Sequence, residues 1–352
     1  MRLRVDLDSL PSYIPGVSAP NAYKLASNES TVKLHPHVAQ SISDAAQGIN
    51  RYPDNGAAVL LERLGDLLNV DTDNIVTGCG SVALCQELVQ ITCASEADEV
   101  VFAWRSFEAY PIVTRVGGAT GVPVPLRPDL AHDLDAMLAA ITERTRLVLV
   151  CNPNNPTGTV ITNDELVRFL DAVPVNVLVV LDEAYAEYVR DPQSPNGLEL
   201  FRDRPNVLVL RTFSKAYGLA GLRVGYGIGA RDIITALRKV HIPFSVSAVA
   251  QAAAIASLEV QDELLTRTDA TVAERDRVTA ALRAAGYTVA PSQANFVFLP
   301  LGDASAEFAR LSAEAGVIVR TYGSDGVRIT TGEPHENDAF LAFAESVSRQ
   351  FV

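Results

Sequence analysis

Three short runs, Leu147–Cys151, Val177–Leu181 and Val207–Leu210, are almost wholly apolar and rich in β-branched residues. Bounded by turn residues, they read as strands buried on both faces, which is the habit of parallel sheets covered by helices. Helical patterns separate them. Val82–Thr92, opened by Gly80-Ser81, reads as a helix, as do Asp133–Ile141 and Asp164–Ala172, the last capped by Thr162 or Asn163. Glu99–Ala103, Thr120–Val124 and Val224–Ile228 complete the strand set. Strands alternating with helices predict an α/β fold with a mostly parallel sheet, whose ligands bind beyond the carboxyl ends of the strands.

At 352 residues the chain exceeds the size at which single cores stop growing, so a large and a smaller domain are expected. The pattern changes near Ser245. Ser247–Ala285 is almost entirely helix-forming, and strand-like Asn295–Leu299 and Val317–Arg320 then alternate with helices near Ser305–Ala315 and His335–Arg349. The expected division is a segment 1–45 of short extended pieces packing on the small domain, a large domain 46–245, and a small α+β domain 246–352.

A formal net charge of -13 argues against a nucleic-acid surface. No run approaches the roughly 18 apolar residues of a membrane span, and Met1 to Gly16 lacks an apolar stretch of signal length. Cys79, Cys85, Cys93 and Cys151 have no zinc-like spacing, so reduced thiols and a cytoplasmic location are expected. His35 and His37 lack a third ligand nearby, and no metal centre is expected.

The chemistry is concentrated at strand ends. Lys215 lies in Ser214-Lys215-Ala216-Tyr217-Gly218, eight positions before Arg223. Asp182 ends an apolar strand, with Tyr185 three residues on. An amine to condense with an aldehyde, a carboxylate to keep a ring nitrogen protonated, a phenol for the ring oxygen and an arginine for a phosphate are the requirements of a pyridoxal phosphate site. Asn152-Pro153-Asn154-Asn155-Pro156 follows another buried strand and offers Asn155 to the ring oxygen. Gly78-Cys79-Gly80-Ser81 precedes a helix and reads as a phosphate cradle. The run Gly225-Tyr226-Gly227-Ile228-Gly229 enters no helix with a dinucleotide-binding glycine pattern.

Together with Lys24 to Glu29, Asn50-Arg51-Tyr52-Pro53-Asp54, Asn154 to Gly158, Asp182 to Tyr185, Ser214 to Arg223 and Gly326 to Thr330, these motifs span nearly the whole chain. In that order they resemble fold-type I pyridoxal phosphate-dependent aminotransferases of the histidinol-phosphate aminotransferase family. Trp104-Arg105-Ser106-Phe107-Glu108 and Cys79 to Cys85 are similar to its actinobacterial aromatic, or phenylalanine, branch. The resemblance implies a large domain with a seven-stranded, mostly parallel sheet between helices. It implies Lys215, Asp182 and Tyr185 as catalytic residues. Phe107, where many relatives have tyrosine, would stack on the cofactor ring. Gly80, Ser81, Thr212, Ser214 and Arg223 would hold its phosphate, and Tyr52 would reach the phosphate of a partner subunit in a homodimer. Arg328 would pair with the substrate α-carboxylate, with Arg320, Asn295 and Tyr13 as further substrate contacts.

The implied activity is transamination between an aromatic L-amino acid (phenylalanine, tyrosine or tryptophan) and 2-oxoglutarate. The alternative donor is histidinol phosphate, which would require a second anion site. A lyase or decarboxylase would share the cofactor core. A DNA-binding regulator is not expected, because the family's first motif begins near Lys24.

Overall fold

The computed structural model describes residues 21–352. The described chain opens with β1 (Tyr23–Lys24), α1 (Pro36–Ala46) and α2 (Ala58–Leu68). A seven-stranded sheet follows, made of β2 (Ile75–Gly78), β3 (Glu99–Trp104), β4 (Thr120–Pro125), β5 (Thr145–Cys151), β6 (Leu178–Asp182), β7 (Val207–Thr212) and β8 (Gly225–Ile228). Its connecting helices are α3 (Ser81–Thr92), α4 (Ala109–Val116), α5 (Leu134–Ala139), α6 (Asn163–Ala172), α7 (Gly197–Leu200) and α8 (Arg231–Val240). Beyond it lie α9 (Ala248–Glu259), α10 (Gln261–Ala284), β9 (Phe296–Leu299) and α11 (Ser305–Glu314). The last elements are β10 (Val317–Ile318), β11 (Arg320–Thr321), β12 (Val327–Thr330) and α12 (Pro334–Phe351).

The sheet runs β2-β8-β7-β6-β5-β3-β4, with β8 antiparallel to both neighbours and the remaining pairs parallel. This is the mostly parallel α/β sheet that the alternating pattern predicts. Side chains along its central strands leave alternately by the two faces. Val148, Val150, Val179, Leu181, Val207 and Val209 pack into one core layer, and Leu147, Leu149, Val180, Leu208 and Leu210 into the other. Register pairs Cys151 with Asp182 and Asp182 with Leu210, so β5 and β6 end level and β7 runs two residues further, to Thr212. That shared edge brings their following loops together. Thr162, not Asn163, caps α6, through a reciprocal capping box with Glu165.

A second core gathers Val278, Leu282, Tyr287, Val297, Phe308, Val327 and Phe340 around the antiparallel sheet β11-β12-β9. Leu25 belongs to it, and β1 pairs in parallel with β10, so residues 23–25 join this unit. Other pieces depart from the pattern read in the sequence. The helix-forming stretch after Ser247 breaks at Val260, and Ala250, Ala253, Ala254 and Ala256 of α9 pack into the large core. The change of core falls within α10, whose Leu264 still packs in the large core while its Val278 and Leu282 lie in the smaller one. Helix α1 buries Val38 in that same large core; its capping residue is His35, with Pro36 in the first turn. The stretch Val317–Arg320 serves two sheets, since β10 pairs with β1 and β11 with β12.

Phe308 organises the smaller core. It is fully buried, and its ring meets Tyr287, Phe340, Phe343 and Phe351 edge-on at 5.1 to 6.5 Å. Phe308→Ala removes the centre of this cluster and is expected to cost about 3–5 kcal/mol of that unit's stability. Urea unfolding followed by circular dichroism checks this. A midpoint equal to that of the parent protein would show that the cluster is dispensable.

Candidate active site

The loops after β2, β5, β6 and β7 converge with residues 26–29 and the β11–β12 hairpin on a cleft of about 500 Å³. Ser81, Phe107, Asn155, Asp182, Tyr185, Thr212, Ser214, Lys215, Arg223, Arg320 and Arg328 all line it.

Asp182 terminates β6 and is 4% exposed. Its Oδ2 accepts a 2.8 Å hydrogen bond from the Tyr110 hydroxyl, while Oδ1 is buried with no partner among the described residues. Burial pushes its pKa up to about 6, opposed by the Tyr110 hydrogen bond. Lys215 follows β7, and Nζ donates to the carbonyl oxygens of Asn28 at 3.2 Å and Ser27 at 3.5 Å. Burial, followed by the nearby Arg328 charge, depresses its pKa to about 7. The amine is thus held near the neutral, nucleophilic form. Burial raises the pKa of Tyr185 well above the ordinary phenol value, and its hydroxyl accepts from Asn28 Nδ2 at 3.0 Å.

Arg328, on β12, is 5% exposed and sits among neutral oxygens. Nη1 donates to Asn155 Oδ1 at 2.5 Å and to the Tyr322 hydroxyl at 2.6 Å, and Nη2 to the Ala26 carbonyl at 2.6 Å. Its Nε has no partner among the described residues. A buried guanidinium in such company keeps a charge able to pair with a carboxylate. Arg320 is engaged with Glu108 at 2.9 Å.

At the other end, Gly80 caps α3 with φ +74°. A Cβ there would collide with the Arg223 guanidinium, so glycine lets that cation approach the helix start. Arg223 Nη1 donates to Ser214 Oγ at 3.3 Å, and Ser214 N to Thr212 Oγ1 at 3.1 Å. A helix N-terminus, two hydroxyls and a guanidinium form a fitting cradle for a phosphate. The unpartnered Asp182 Oδ1 fits a protonated ring nitrogen. The residues present therefore suit pyridoxal phosphate.

Not every expected contact meets in the cleft. Asn295 does not line it; its Nδ2 braces the Asn28 carbonyl at 3.3 Å from behind. Tyr52 is 81% exposed and stacks on Phe244 outside the cleft. Tyr13 lies outside the described residues. Conversely, Tyr110 gave no signal in sequence, because its role depends on a contact across 72 positions. Asn28 stood inside a recognised motif without a role. It takes φ +53°, and it contacts Tyr185, Lys215, Asn295 and Thr330 together.

The family model described as Aminotransferase class I and II matches residues 20–343, and the chain belongs to that family. The aromatic amino acid aminotransferase of Rhodococcus jostii is 66% identical over 345 residues, covering 98% of this chain and 96% of that protein. Its namesake in Nocardia farcinica is 65% identical, covering 97% and 96%. The solved histidinol-phosphate aminotransferase of Sinorhizobium meliloti in complex with pyridoxal-5'-phosphate aligns with a TM-score of 0.89 at 31% identity. It covers 100% of this chain and 98% of that one. The fold-type I resemblance read from the motifs agrees with all of these.

Two outcomes test the electrostatics in cofactor-free protein. Tyr110→Phe removes a hydrogen bond that favours the Asp182 carboxylate, so the carboxyl pKa, followed by carbon NMR, should rise above about 6. An unchanged or lower value would refute the coupling. Because Lys215 gains its free amine as pH passes about 7, capture of an added aldehyde should accelerate through that point and level off above it. A rate still climbing steeply toward pH 10 would mean an unperturbed lysine.

Proposed function

We propose that the protein is a pyridoxal 5'-phosphate-dependent aminotransferase that exchanges the amino group between an aromatic L-amino acid and 2-oxoglutarate. The observation that carries the chemistry is the pairing, in one cleft, of a buried amine of lowered pKa with a buried carboxylate whose second oxygen has no partner. The aromatic donor is supported by the names of the Rhodococcus and Nocardia relatives.

When bound, the cofactor supplies an aldehyde for amine exchange and a cationic ring that takes up the electron pair left at the substrate Cα. Asp182 would keep the ring nitrogen protonated through Oδ1, and the Tyr110 hydrogen bond keeps that carboxylate ionised. Tyr185 and Asn155 would hold the ring oxygen, and Phe107 would supply an aromatic face. Gly80, Ser81, Thr212, Ser214 and Arg223 would anchor the phosphate. Lys215 Nζ removes the Cα proton of the donor and delivers it onward, for which its lowered pKa suits it near neutral pH. Arg328 would fix the α-carboxylate and so orient the bond to be broken.

The working unit in this reading is a homodimer. Tyr52, largely exposed and stacked on Phe244, is the residue offered to a neighbouring subunit. A cytoplasmic location belongs to the same reading. No helix among the described residues is long and apolar enough to cross a membrane.

Lys215→Ala should lower turnover of L-phenylalanine by about a thousandfold or more, with loss of borohydride trapping at that position. Turnover at the parental rate would refute the role of Lys215. Measured side by side, kcat/KM should favour L-phenylalanine over histidinol phosphate. A preference of about a hundredfold for histidinol phosphate, near 2.7 kcal/mol, would overturn the aromatic assignment.

A further inference from the structure

We propose that Glu108 selects among substrate side chains by occupying Arg320, and so biases the cleft toward uncharged groups; the inference rests on the transamination reading and extends it to the side-chain subsite. Arg320 and Arg328 are cross-strand partners in the β11–β12 pair. Residues paired in this way project from the same face of the ribbon, with Cβ atoms about 4.5–5.5 Å apart. Both arginines line the cleft, and the Tyr322 ring lies near both guanidinium carbons, at 5.9 Å from Arg320 and 5.4 Å from Arg328.

Like charges placed opposite each other are unfavourable, and the two are treated differently. Arg328 meets only neutral oxygens in its hydrogen bonds, which leaves its charge for the α-carboxylate. Arg320 Nη2 donates to Glu108 Oε2 at 2.9 Å, with the two side chains 15% and 27% exposed. A pair this far removed from water is screened weakly.

Glu108 is held in place by its own loop. Arg105, three residues earlier, pairs with Asp325 at 2.6 Å, and Asp325 lies in the turn joining β11 to β12. Two ion pairs of opposite polarity thus fasten the 104–108 loop to the hairpin. Together they keep the Glu108 carboxylate facing Arg320.

An uncharged aromatic side chain can pack against the flat face of the paired guanidinium without disturbing the pair. A carboxylate or phosphate that reaches Arg320 competes with Glu108, whose carboxylate then lies beside the incoming anion. Repulsion built in against the wrong ligand is a recurrent source of specificity. The same pair must open for the distal carboxylate of a dicarboxylic 2-oxo acid, so Glu108 governs the balance between the two substrates of the exchange.

Calorimetric titration of the holoenzyme with two unreactive ligands, glutarate and 3-phenylpropanoate, reads this balance directly. Glu108→Gln should tighten glutarate about tenfold while 3-phenylpropanoate changes by less than about threefold. Glu108→Asp should return the ratio toward that of the parent. Adding Arg320→Met to Glu108→Gln should abolish the gain. An unchanged ratio, or equal weakening of both ligands, would overturn the proposal and leave the aromatic reading intact. Failure of the parent enzyme to turn over L-phenylalanine would sink that reading, while the ratio of the two dissociation constants would still report on the ion pair.

Discussion

The site depends on a carboxylate and an amine buried at the ends of neighbouring parallel strands. Asp182 is buried and Lys215 part-buried in the cleft, and loss of hydration disfavours the charged form of each. The result is an acid near pKa 6 and a base near pKa 7, brought toward each other from values more than six units apart in solution. Neither residue could be placed so deeply by a surface loop. The carboxyl ends of β6 and β7 do it, on strands whose apolar residues are in register and packed on both faces. Desolvation by the core is therefore the source of the site's reactivity as well as of the fold's stability.

Closing the cleft falls to the small unit and the N-terminal segment. Asn28 donates from N to Thr330 Oγ1 at 2.9 Å, and its carbonyl accepts from Lys215. Arg328 reaches from β12 to Asn155 after β5 and to the Ala26 carbonyl. Each of these bonds joins chain segments separated by well over a hundred residues. Arg328 and Lys215 are thus brought together across a seam between two cores, where a small relative movement would loosen Asn28, Lys215 and Arg328 together. Sites at such seams can open for exchange of ligands without unfolding either core.

Much of this was legible in the sequence because buried strands and their terminal residues leave a local mark. Asp182 stands directly after an apolar run, Lys215 five positions after one and just before a glycine-rich stretch, and Gly80-Ser81 at the start of a helix. Tyr110 left no such mark, since its partner is set by the docking of α4 against the sheet. Helix α4 itself was obscured by Pro111 within its first turn, and β2 by its four-residue length. Asn295 enters as a substrate contact only through the family resemblance, not through any local pattern. Packing turned it toward the Asn28 backbone instead. The division at residue 246 follows a change of composition, whereas packing carries the large core through α9 to Leu264 before α10 turns to the smaller core at Val278.

The likeness to a histidinol-phosphate aminotransferase at a TM-score of 0.89, with only 31% identity, separates scaffold from selectivity. A scaffold so widely shared handles what all amino donors have in common, namely the amino group and the cofactor. What distinguishes an aromatic ring from a phosphate must come from side chains at the cleft mouth, and there charge outweighs shape. One methylene in an apolar pocket is worth about 1–3 kcal/mol of discrimination, whereas leaving a desolvated charge unpaired costs several kcal/mol. Two arginines side by side on a hairpin form a receptor for two anions, and a single glutamate from the opposing loop converts it into a receptor for one. In this fold, exchanging one class of donor for another then requires a change in the pairing of one cation and no change in the backbone.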